Sequence, residues 1–394
     1  MGTNLNKNII VLVALYIIPL NGLSVDIYVP SLPAVANYFS TSDLLVKNTI
    51  SIYILGLGIS QLICGNIIDH FGRRRPLLIS LCGYFVVSIL LVTSKSIGMV
   101  TFLRAAQGIC MGFSAVSARS VFPDLFSGEE YYKKASYITI AFAIGPIVAP
   151  SIGGYLQHYL GWQSCFYFLI LYSLIGIWSV FFLIPETVKI KKQMSFKLVM
   201  LRYREMLSHK NFVLGLVCLI MIATVSTLFC IIGPFLIQDR LHYSPIVYGN
   251  MALLCGLSWF IGNASNRMLL KISMPKKINV ALLFMSVDLL LMLLLANFYF
   301  NLYVIVIPVC LMLVAASIVF SNYFVHLPTL FPEYEAASAA FMAGSFSLIS
   351  SGICALLSKI ITTENQIPLV CGYLSLVLVC IIATRITKWE SVSL

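Results

Sequence analysis

Asp26 and Arg104 are charged side chains set inside apolar stretches long enough to cross a membrane. An ionisable residue at that depth is expensive, and it is kept where it pairs, binds or relays protons. Asp26 can take up and release a proton, whereas Arg104 keeps its charge and can hold an anion or bias a neighbouring carboxylate. Burial disfavours an ionised carboxylate and a guanidinium beside it favours the same form, so an aspartate held between the two can be switched. The pair is read as a proton-coupling site, with a fixed structural ion pair as the rival reading.

The elements that must position this pair are transmembrane helices. Of the 394 residues, 60% are hydrophobic and 10% charged, against about a quarter charged in a soluble domain, and the mean hydropathy is +0.97. A spanning helix takes about 20 mostly apolar residues. Twelve are predicted, at 8–30, 45–66, 76–94, 98–118, 134–156, 164–185, 212–236, 246–266, 278–298, 301–323, 336–358 and 367–386. At 1.5 Å per residue Asp26 lies roughly 6 Å inward of Pro30 and Arg104 about 9 Å inward of residue 98, at similar depth. The longest polar interval, 187–211, leaves no room for a soluble catalytic domain. The first apolar run reads straight into Asp26 and Pro30 with no small-residue cleavage pattern, so no cleavable signal is expected.

Lys and Arg collect in cytoplasmic loops. With the N-terminus inside, 20 of the 25 fall on the cytoplasmic side, in clusters that include Arg73, Arg74 and Arg75, Lys189, Lys191 and Lys192, and Lys276 and Lys277. Both termini are therefore expected in the cytoplasm, and the net charge of +11 reads as topology and not as nucleic-acid binding. The eleven cysteines are scattered without a C-x-x-C pair and behave as small apolar residues. No histidine has a metal-like partner and no nucleophile constellation assembles, so neither an enzyme nor a metal or cofactor is expected.

The chain divides into a six-helix bundle at 1–186, a cytoplasmic linker at 187–211 and a second six-helix bundle at 212–394. In the linker, Phe196, Val199, Met200, Tyr203 and Leu207 recur at helical spacing with Lys197, Arg202 and Arg204 elsewhere on the turn, which predicts a helix lying on the membrane interface. The two bundles repeat one another. Gly65-Asn-Ile-Ile-Asp69 at the exit of span two is echoed by Gly262-Asn-Ala-Ser-Asn266 at the exit of span eight, and Pro30 by Pro234, the pattern of a duplicated transporter.

Five segments in order carry a family resemblance: Asp26-Ile-Tyr-Val-Pro30-Ser-Leu-Pro33; Tyr53 to Gly56 with Gln61 to Gly65; Gly65 to Arg74; Arg104-Ala-Ala-Gln107-Gly108; and Gly145-Pro146 through Pro150 to Gly153-Gly154. On these the chain resembles the major facilitator superfamily, and within it the bicyclomycin-resistance type (Bcr/CflA-like) of drug:proton antiporter. The resemblance implies an all-α integral membrane fold of twelve transmembrane helices in two pseudo-symmetric six-helix bundles. It implies a multi-pass protein of the bacterial cytoplasmic (inner) membrane that works as a monomer. Its partners would be a small-molecule substrate, H+ and membrane lipid, with the proton gradient as energy source and no cofactor.

The resemblance also implies roles. Asp26 and Arg104 would couple protons to substrate, on spans that line the central cavity. The loop with Gly65, Asp69, Gly72 and Arg73 would latch the inner gate, and Asp69 and Arg73 have the i,i+4 spacing of an ion pair. Gly145, Pro146, Pro150, Gly153 and Gly154 would form the motif that marks antiporters. Gly145, Ala149 and Gly153 recur every four residues, a small-residue face on which another helix can pack closely. Pro123 stands where relatives tend to carry an arginine before Asp124, and Arg119 is the expected substitute tether. Tyr53, Gln107, Phe142 and Trp259, with Asp26, are the candidate cavity residues. Asp288, midway along span nine, is expected to hydrogen-bond to a neighbouring helix. Export of drugs or other amphipathic small molecules leads the readings; a dedicated exporter of a siderophore or amino-acid derivative, an importer or facilitator, and a non-transport membrane protein stay open.

Overall fold

The computed structural model describes residues 7–188, 196–269 and 271–387, so Lys189, Lys191, Lys192 and Lys388 lie outside the described residues. The regular elements among these residues are helical: α1 (Lys7–Ile17), α2 (Leu20–Asp26), α3 (Leu32–Tyr38), α4 (Asp43–Phe71), α5 (Arg74–Val92), α6 (Ile97–Leu125), α7 (Gly128–Leu160), α8 (Gln163–Leu183), α9 (Phe196–Ser208), α10 (Lys210–Pro234), α11 (Pro245–Met268), α12 (Met274–Ala296), α13 (Leu302–Thr329), α14 (Glu335–Ile360) and α15 (Ile367–Ile386). They supply 12 runs long and apolar enough to cross a membrane. Large apolar side chains such as Ile79, Phe102 and Trp178 point outward, which suits hydrocarbon and not water.

Span one departs from the sequence reading. It was expected to end at Pro30, but the helical run continues to Tyr38 as α1, α2, a 3-10 turn at Val29–Ser31 and α3. A proline lacks the N–H that the carbonyl four residues back needs, so the α-helix breaks without the chain leaving the span. Asp26 is therefore twelve residues from the end of the helical run and not four. The echo at Pro234 behaves alike: a π turn at Phe235–Arg240 follows it and extends that run to Arg240.

The chain forms two compact units, the first comprising Met1–Phe196 with Ser244–Leu253, the second Lys197–Tyr243 with Leu254–Leu394. In the first unit α4 packs against α6 and α2 against α7. A methyl group on Gly108 would collide with the Tyr53 carbonyl, and one on Gly56 with that of Ala105; glycine there lets the two backbones touch. That approach carries Tyr53 over Arg104, one helical turn before Gly108. At the α1–α8 contact the Tyr16 and Tyr172 rings stack at 4.3 Å, and each hydroxyl donates to the other's carbonyl, at 3.1 and 2.5 Å.

In the second unit α10 packs on α13, α14 and α15, and α12 on α13 and α15. The predicted linker helix forms as α9. Met206 is buried and the Tyr203 ring lies 4.4 Å from that of Phe341, while Met200 and Leu207 are exposed. Arg202 covers the Tyr334 ring at 5.2 Å.

Candidate functional site

Arg104 has no exposed surface, and the site is built around it. The helix of span one breaks at Asp26, where the Ile27 N–H still reaches the Leu23 carbonyl at 3.1 Å; the next carbonyl, of Ser24, accepts from Arg104 Nη1 at 3.0 Å. The same Nη1 donates to Gln107 Oε1 at 2.6 Å, and Gln107 Nε2 donates to Ser88 Oγ at 2.9 Å. Ser24 Oγ and Tyr84 Oη share a hydrogen bond of 2.6 Å. The guanidinium carbon lies 4.3 Å from the Tyr53 ring centre and 5.1 Å from that of Tyr28, contacts worth about 0.5–2 kcal/mol each when desolvated.

This arrangement leaves donors unspent. Arg104 Nε and Nη2 are buried without a hydrogen-bond partner among the described residues. A buried donor left unmade costs about 1–3 kcal/mol, more when charged. Asp26, half-buried at the end of α2, is near enough to act electrostatically on both Arg104 and Tyr53. The site is thus rich in donors and able to take a carboxylate or another acceptor.

Of the expected cavity residues, Asp26, Arg104, Tyr53 and Gln107 come together here. Phe142 does not: it lies under Arg119, whose guanidinium carbon is 5.1 Å from its ring centre. Trp259 belongs to the second unit, in an aromatic group with Phe320 at 5.4 Å. Ser24, Tyr28, Tyr84 and Ser88 were missed. Tyr84 and Ser88 stand four apart on span three, a polar pair in an apolar helix that signals a shared polar face.

The loop after α4 is pinned from three sides. Arg73 Nη1 pairs with Asp69 at 2.5 Å and Nε with Asp124 at 3.0 Å. Glu186, just beyond α8, accepts from the backbone N–H of Arg73 at 2.8 Å and of Arg74 at 3.3 Å. Thr187 Oγ1 donates to the same Asp124 oxygen at 2.7 Å. Gly72 sits at φ 97°, and a methyl group there would strike the Glu186 carboxylate. Gly65 has open space around it. The expected tether is corrected: Arg119 Nε donates to the Ala115 carbonyl at 3.2 Å, and Asp124 is held by Arg73 and Thr187. Arg73 was already on the loop, and its long fork reaches both carboxylates.

On α7, added methyl groups at Gly145 and Gly153 would meet the backbone of span one, at Pro19 and Ile27. From the other side Gly22 of α2 presses on the Pro146 ring. Gly154 abuts the Pro245 carbonyl, Gly249 abuts Pro150, and Ser151 Oγ donates to Asn250 Oδ1 at 2.8 Å. These are contacts within the first unit.

A sequence model of the Major Facilitator Superfamily matches residues 17–355. The chain belongs to the Major Facilitator Superfamily. As in the superfamily's D-xylose–proton symporter, whose crystal structure superposes with a TM-score of 0.80 over 97% of this chain and 98% of that one at 14% identity, the fold is a twelve-helix transporter fold. The chain is also similar to a bicyclomycin resistance protein homolog of Haemophilus influenzae, 33% identical over 174 residues, 44% of each protein. It is 27% identical to multidrug resistance protein D of Escherichia coli over 182 residues, 46% of each. Each of these alignments spans less than half the length of the relative.

Within this superfamily member the internal repeat carries an amide, Asn266, at the second-unit position that echoes the Asp69 carboxylate. Where Asp69 pairs with Arg73, Asn266 accepts from Asn322 Nδ2 at 2.9 Å, and Ser321 Oγ donates to Asn263. Gly262 packs against the Val314 carbonyl, as Gly108 packs against Tyr53. Asp288 is buried on α12, and its Oδ2 makes no bond to a neighbouring helix among the described residues. Span nine packs there through apolar side chains such as Met285, Leu289 and Met292, which offer no donor.

Proposed function

We propose that this chain exports drugs or other amphipathic small molecules in exchange for protons, by alternating access, across a bacterial cytoplasmic membrane with both termini in the cytoplasm. The observation that carries the reading is the buried Arg104, with Nε and Nη2 unfilled and the Asp26 carboxylate within electrostatic reach. Ionised Asp26 is stabilised by Arg104; protonated Asp26 gives up that attraction and leaves the guanidinium to other acceptors. Proton and substrate then compete for one charged centre, which is what antiport requires. Similarity to a bicyclomycin resistance homolog and a multidrug resistance protein supports drugs as the substrate class. The proton gradient is the energy source, no cofactor is needed, and a monomer suffices.

The test is uphill transport in proteoliposomes under an imposed proton gradient. Wild-type protein is expected to concentrate substrate, and Asp26→Asn is expected to allow only downhill flux. Uphill transport by Asp26→Asn would overturn the coupling role. A second reading, export of one dedicated metabolite such as a siderophore or amino-acid derivative, is favoured by the same unfilled donors, because they suit a carboxylate or other strong acceptor. A compound panel on a deletion strain, read beside the metabolites in the medium, separates the two.

A further inference from the structure

In the second unit, the turn after α11, the first turns of α12 and the middle of α13 enclose a groove of about 290 Å³. Ile272, Val280, Phe284 and Ile318 make its apolar wall, and Lys276 and Lys277 are its charged members. Val280 and Phe284 are largely exposed, so the groove opens outward along the helices. Arg267 and Lys271 lie on the same turn. Neither Lys276 nor Lys277 has an ion pair or hydrogen bond among the described residues. α11, α12 and α13 carry one carboxylate, Asp288, which is eleven residues and so roughly 16 Å along the helix from Lys277. The positive end of the α12 dipole adds to the same field. The groove thus joins an unneutralised cationic mouth to an apolar channel running in the membrane direction, and a water-soluble anion would leave that channel unfilled.

We propose that this groove binds one anionic phospholipid from the leaflet at this end of the bundle, with its phosphate between Lys276 and Lys277 and an acyl chain along Val280 and Phe284. Free phosphate shares the headgroup chemistry and lacks the chain; zwitterionic lipid has the chain but carries a compensating cation that the basic mouth repels. The site stands independently of what the chain transports.

The test is native mass spectrometry of the full chain, delipidated in detergent and then given dioleoyl phosphatidylglycerol, dioleoyl phosphatidylcholine or glycerol phosphate. Wild-type protein is expected to retain phosphatidylglycerol at least fivefold over phosphatidylcholine and to retain no glycerol phosphate. K276Q/K277Q is expected to lower phosphatidylglycerol retention at least fivefold with phosphatidylcholine unchanged, while K133Q, which breaks a pair with Glu129 elsewhere, changes neither. Val280→Glu, which sets a carboxylate where the acyl chain begins, is a second variant with the same expected loss. Equal retention of the two lipids by wild-type protein, full retention by either groove variant, or glycerol phosphate binding as well as the lipid would overturn the assignment.

Discussion

At the scale of single residues, the polar centre of the first unit is an incomplete network. Arg104 spends Nη1 on two acceptors, Ser24 O and Gln107 Oε1, and its remaining nitrogens stay unmet. Such a group gains from any acceptor that reaches it. The loop after α4 is the opposite case, since Arg73, Asp69, Asp124, Glu186 and Thr187 meet one another's needs. There Gly72 and Gly65, equal members of one motif, separate physically. Gly72→Ala forces a side chain into the left-handed region and onto Glu186, a strain of about 1–3 kcal/mol. Gly65→Ala meets nothing within 4 Å. Transport and melting temperature measured for both should fall for Gly72→Ala and stay near wild type for Gly65→Ala. Asp26, Arg104 and Gln107 stood out in the sequence because buried charges and their turn-neighbours are rare in apolar helices, whereas the aromatic spacing that named Tyr53 also named Phe142 and Trp259, which lie elsewhere. Glu186 was not legible, because it acts on backbone N–H groups 113 residues away, and no local pattern marks a cap supplied by another loop.

At the scale of elements, prolines and glycines shape the first unit. Pro30 breaks the α-helix of span one near the carbonyl that Arg104 uses, and Gly145, Gly153 and Gly22 let α7 lie directly on that broken helix. Gly145→Leu is therefore expected to push α7 away from Pro19 and Leu23, lower stability by about 1–3 kcal/mol as overpacking does, and cut transport severalfold. Normal transport at normal membrane expression would count against a coupled role for this contact. The spans themselves were legible from hydropathy, because hydrocarbon thickness dictates their length. The continuation of span one past Pro30 was not, because a proline read alone marks a break without saying whether the chain turns away or runs on.

At the scale of the whole molecule, the superfamily fold and the +11 charge reflect the same constraint, since spans must be apolar and their basic ends mark one side. Reporter fusions test the orientation. A periplasm-active phosphatase is expected to be active when fused at the loop near Lys95, between spans three and four, and silent at the loop near Arg73. A fluorescent protein that matures only in the cytoplasm is expected to light up at the C-terminus. The reverse pattern would invert the direction of transport assigned to Asp26. The duplication was legible through Gly262 and Asn266, yet the structure adds that the two halves have diverged chemically. Asp69 pairs with Arg73 in the first unit, and its echo Asn266 pairs with Asn322 in the second. The central claim of the proposed function is that Asp26 exchanges a proton for substrate. The most direct check is proton release from the detergent-solubilised protein on adding candidate substrates. Wild-type protein is predicted to release protons on binding and Asp26→Asn to release none, whereas release from Asp26→Asn equal to wild type would contradict the account.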